Sequence, residues 1–211
     1  MPRATACLTR LLLPPLGTLP FDPTNSHQVG WAFETTLDVE WAHALAPGAN
    51  IVLLTSPVSE TEGVQGLPQF LFLENYALAH NLGRSWGTTE NTLFDSAGQK
   101  VITNFENFYR AAAQRSVTVL ASAGDGGSSN VELNETTYYP FPTVGFPASS
   151  PFVTAVGGTS LYANGAGNYQ FEIGWIGGGG GVSQQFSEPA HQNLLSASVQ
   201  QTLANRAAFP M

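Results

Sequence analysis

Residues 117–127 read Val-Thr-Val-Leu-Ala-Ser-Ala-Gly-Asp-Gly-Gly. Val117–Ala121 is a short, continuous apolar run, the pattern of a strand buried on both faces. It gives way to glycines, which let a backbone turn sharply and other groups come close. Just upstream, residues 97–115 put Val101, Phe105, Phe108, Tyr109 and Ala112 on one helical stripe. The same alternation recurs on either side. Asn50–Thr55 and Phe152–Val156 read as further strands, and Arg84–Trp86 as a short strand or its end. Residues 31–45 and 67–81 read as helices, the second with Leu67, Phe70, Leu71, Glu74 and Leu78 near one face. Repeated β-α-β units with short connections predict an α/β fold, a doubly wound, mainly parallel sheet with flanking helices.

Ligands of such sheets bind beyond the carboxyl ends of the strands. Those ends are Ser56, the Trp86–Gly87 turn and Ser122–Asp125. Residues 124–150, rich in Gly, Ser, Asn and Pro, are expected to form a surface excursion, and the pattern weakens after 162. The glycines at 177–181 serve either as a linker or as a tight backbone approach within the domain.

Composition narrows the function. The 211 residues carry 7 Lys and Arg against 15 Asp and Glu, a net charge of −8. Scattered cations on an acidic chain exclude a phosphate-tracking nucleic-acid binder. No apolar stretch approaches the roughly 18 residues of a membrane span. The single Cys7 permits neither an intrachain disulfide nor a cysteine zinc cluster. Charged residues are 10% of the chain, where about 25% is usual. Such a surface suits work in acid. Residues 1–27 read as an irregular N-terminal arm, because Pro14 and Pro15 interrupt the apolar run a signal peptide needs.

Three segments could carry chemistry. In Glu34–His43, Glu34 and Asp38 share the helix face of Leu37, Trp41 and Leu45. Two carboxyls one turn apart on a buried stripe repel unless they share a proton or meet a partner, which is how acid–base pairs are made. The alternative is a helix edge where both reach solvent. Asp125 follows a buried strand at its carboxyl end; the alternative there is an ordinary Asp-Gly turn. Ser160, in Gly157-Gly158-Thr159-Ser160, looks like a nucleophile but continues as an extended segment. The histidines, His27, His43, His80 and His191, show no metal-ligand pairing and are not followed by Gly.

Taken together, the segments are similar to those of one family. Glu34–Trp41 with Ala46–Ala49 resembles the catalytic helix of the sedolisin (serine-carboxyl peptidase) family. Ser85-Trp86-Gly87-Thr88-Thr89-Glu90 resembles its substrate strand, and Ser122-Ala123-Gly124-Asp125 its oxyanion motif. Pro147–Thr159, and Trp175 with the glycines and Val182-Ser183, fit as well, so the resemblance spans about residues 28–210.

It implies a subtilisin-like fold and a serine-type endopeptidase acting at acid pH. Glu34 would be the base, Asp38 the carboxyl orienting it, and Asp125 the oxyanion acid. A peptide or protein substrate would pair with the backbone at Ser85, Trp86 and Gly87. The resemblance also implies an extracellular monomer with no nucleic-acid or membrane partner.

The chain departs from that pattern at the nucleophile. Ser160 has Asn164 where the family's serine motif has Pro, and it matches an earlier, non-catalytic stretch. The expectation is a partial domain, residues 28–211, incomplete at both ends, lacking the serine segment and the family's calcium site. It has no cofactor or metal of its own and no independent proteolysis. A non-catalytic peptide-binding pseudopeptidase is the alternative.

Overall fold

The computed structural model describes residues 8–11, 20–58, 60–77, 82–134 and 136–194. The chain divides into two compact units, Met1–Ser59 and Glu60–Met211.

The first unit holds β1 (Leu8–Leu11), α1 (Ser26–Leu45) and β2 (Ile51–Leu54). β1 pairs in parallel with β2, Leu8 opposite Ile51. Within the stretch expected as an irregular arm, Leu8–Leu11 form this strand, ahead of Pro14 and Pro15. α1 begins where the Asn25 side chain accepts the Gln28 amide at 3.2 Å, satisfying an orphan donor of the first turn. It stops at Ala46, before Pro47 and Gly48. No residue of α1 is buried: Phe33 is 70%, Trp41 61% and Leu45 80% exposed. Its apolar stripe is present in the sequence and uncovered in the structure.

The second unit opens with a 3-10 turn, Glu60–Gln65, and α2 (Leu67–Tyr76). β3 (Leu82–Arg84), β4 (Thr88–Thr89) and the 3-10 turn Glu90–Leu93 lead into α3 (Ser96–Gln114). β5 (Val119–Ser122), β6 (Gly145–Phe146), β7 (Thr154–Val156), β8 (Thr159–Ala163) and β9 (Tyr169–Gly174) follow. β3, β5 and β7 form one parallel sheet in that order, the α/β arrangement expected of a subtilisin-like fold. β4 pairs antiparallel with β6, and β8 with β9.

α3 organises the core. Asp95 caps it by accepting the Gly98 amide at 2.6 Å. A Cβ on Gly98 would lie 2.4 Å from the Leu93 Cα, so glycine lets the helix start against the preceding turn. The expected stripe of Val101, Phe105, Phe108, Tyr109 and Ala112 is buried, together with Ile102. The Phe105 ring centroid lies 5.8 Å from those of Trp86 and Tyr109 and 5.7 Å from that of Phe146. Rings buried this way stabilise the fold by about 1.5–3 kcal/mol each.

Several boundaries differ from expectation. α2 ends at Tyr76, and residues 78–81 lie outside the described residues. The strand placed at 84–86 occupies 82–84, leaving Ser85–Gly87 as an extended link to β4. The supposed excursion 124–150 returns to the core, where Thr143, Val144 and Phe146 are buried. β9 was missed, although Tyr169, Phe171 and Ile173 alternate with Gln170 and Glu172 as a strand requires.

Candidate active site

A cleft of about 210 Å³ opens at the carboxyl end of β5. Gly87, Thr88 and Thr89 form one wall, and Ser122, Ala123 and Gly124 another. Asn130–Leu133 and Gly145 complete it. Two sequence-predicted segments, the substrate strand and the oxyanion turn, therefore meet around one cavity.

The turn after β5 is built by glycine. Gly124 and Gly127 adopt φ of +100° and +66°, a region most side chains avoid. The glycine segment packs against it from behind. Gly179 donates its amide to the Gly124 carbonyl at 2.6 Å, and Gly127 donates to the Gly177 carbonyl at 2.9 Å. A Cβ on Gly179 would sit 1.9 Å from the Ala123 carbonyl oxygen. Of the two readings of residues 177–181, the tight backbone approach is the one observed.

The predicted site residues fare differently. Gly87 lines the cleft, and a Cβ there would come 3.2 Å from the Phe146 carbonyl oxygen. Ser85 is half-buried. Trp86 points into the core, 9% exposed, with its ring 4.8 Å from that of Phe70. Its indole is committed to packing against Phe70 and Phe105. Asp125 follows Gly124 directly and is exposed. Glu34 and Asp38 lie on α1, in the other unit. On that helix Asp38 is exposed and Glu34 half-buried. Ser160 sits inside the β8–β9 hairpin opposite Ile173.

Thr88 and Thr89 lie in the segment singled out by the sequence, whereas sequence reasoning missed Asn130–Leu133 and Gly145 as lining residues. Long-range pairing brings them together: the Thr89 hydroxyl donates to the Val131 carbonyl at 2.6 Å, across 42 residues. It also missed the burial of Glu90, 1% exposed, whose carboxyl is held above the usual carboxylate range by desolvation. Among the described residues no three His, Cys, Asp or Glu side chains cluster to hold a metal ion. No helix among them is long and apolar enough to cross a membrane.

Parallel strands ending at a glycine-built turn beside an extended backbone segment define the class, an α/β fold of subtilisin type. A solved Pseudomonas sedolisin (serine-carboxyl proteinase), complexed with two molecules of pseudo-iodotyrostatin, superposes with a TM-score of 0.63 and 26% identity, covering 91% of this chain and 53% of that one. Kumamolisin from Bacillus sp. (strain MN-32) is 36% identical over 165 residues, 75% of this chain and 28% of its own length. Tripeptidyl-peptidase 1 of Homo sapiens is 35% identical over 167 residues, again 75% of this chain and 27% of its own. No family model matches. The chain belongs to the sedolisin, or serine-carboxyl peptidase, family and spans part of its domain, about a quarter of the length of these curated relatives.

Proposed function

We propose that this chain carries the carboxyl machinery and peptide site of an acid serine endopeptidase. Glu34 is the general base and Asp38 the carboxyl that orients it. A carboxylate base works best near its own titration range, so the chemistry belongs in acid. Asp125 is the oxyanion acid, able to donate a hydrogen bond to developing negative charge only while protonated. An extended peptide adds as a strand along the backbone of Ser85–Gly87. The attacking hydroxyl is not Ser160, whose place within a hairpin strand offers no turn to present it. These residues call for no cofactor, and the proposal extends to a monomeric, extracellular protein.

The observation that supports this reading most is the cleft shared by Gly87–Thr89 and Ser122–Gly124. The test incubates the purified chain with tryptic peptides of casein between about pH 3 and 5, around ordinary carboxyl values. Binding is followed by co-elution and cleavage by mass spectrometry. The expected result is binding without turnover. Turnover abolished by Ser160→Ala, or no binding at all, would overturn the assignment.

A further inference from the structure

Glu90 takes part in no step above, yet its side chain is buried. Its Oε1 accepts the Gln184 amide at 2.5 Å, and its Oε2 accepts the Ser183 hydroxyl at 2.8 Å. Ser183 Oγ in turn accepts the amides of Gln185 at 3.1 Å and Phe186 at 2.9 Å. With both lone pairs of that oxygen used, its one proton is committed to Glu90. The partners are neutral. A carboxyl buried without a counter-charge is a costly way to hold a turn, and it is tolerated only with its oxygens well supplied with donors.

Its position explains what it joins. Glu90 directly follows Thr89, a wall of the cleft, and its own amide donates to the Val144 carbonyl at 3.0 Å. Ser183 and Gln184 follow the glycine segment after the single residue Val182, and within that segment Gly179 backs the opposite wall through the Gly124 carbonyl. Gln99 and Gln185 exchange side-chain amide hydrogen bonds at 2.9 and 3.0 Å, adding a second tie from the same turn to α3.

We propose that Glu90 is a positioning residue for the peptide site. It pins the Ser183–Phe186 turn to the end of β4, holds the glycines against the Ser122–Gly124 turn, and so fixes the spacing of the two cleft walls. The bearing on peptides rests on the function proposed above; the pinning itself does not.

Hydrogen exchange on the full chain tests it, comparing wild type, Glu90→Ala and Glu90→Gln. In Glu90→Ala, amides of 177–186 should exchange about tenfold faster, the scale of one lost hydrogen bond to a charged group. Those of Ile102–Ala112 should not change. Glu90→Gln keeps an oxygen for the Gln184 amide and should restore most of the protection. Wild-type exchange at 177–186 in Glu90→Ala, or an equal rise throughout α3, would overturn the proposal. Casein tryptic peptides are added in a second arm. If they fail to slow exchange at 85–89 in wild type while Glu90→Ala still loosens 177–186, the peptide reading fails and the pinning stands.

Discussion

Burial holds the Glu90 carboxyl above its ordinary value of 4.5, against the downward pull of donors from Gln184, Ser183, Ser149 and Gln185. Glu106 is displaced the same way, with burial outweighing the Ser150 hydroxyl and the Arg110 charge. The consequence for stability has a definite sign. Between 4.5 and the raised folded value, the unfolded chain has lost the proton that the folded chain keeps. Each group's contribution is therefore complete below 4.5 and is lost as pH rises through the folded value. Thermal melts of wild type and Glu90→Gln from pH 3 to 7 isolate one group. The wild-type melting temperature should fall more steeply with rising pH than that of Glu90→Gln. Parallel curves would show that Glu90 is not displaced. The Ser85–Glu90 motif ends on this residue, but nothing in the sequence around it signals burial. Its burial comes from partners 93 and 94 residues away.

Elements were legible where a local period decided them. The buried face of α3 follows from its apolar spacing alone, while its start is set by the Asp95 cap that the structure shows. Its end is less ordinary. Ser116 takes φ +58°, its amide donates to the Ala113 carbonyl, and the Val117 amide donates to the Ala112 carbonyl, each at 3.0 Å. This is the Schellman closure, normally made by glycine because a Cβ is strained there. Ser116→Gly should raise stability by about 0.5–1 kcal/mol, measured by urea denaturation, with binding unchanged. A loss would mean that the serine side chain contributes something that outweighs the strain. β4 and β6, two residues each, were not legible, because such short pairs are set by long-range register and not by a pattern. α1 shows the opposite failure. Its stripe is plain in the sequence, but a stripe states only what a helix can bury, and no α1 residue is buried here.

Across the whole chain, the class of fold was legible from β-α alternation, and the family from the order of several motifs along the chain. The cleft was legible in part. Gly87 and Ser122–Gly124 were singled out by their place at strand ends, while Asn130–Leu133 reach the same cavity through a chain excursion no local signal describes. The central claim is that this cavity receives extended peptide. It is tested most directly by following backbone hydrogen exchange at about pH 4 as casein tryptic peptides are added to the intact chain. The account predicts slowed exchange at 85–89 and 122–125, with β8 and β9 unaffected. Unchanged exchange in those two segments, or slowing confined to the hairpin, would contradict it.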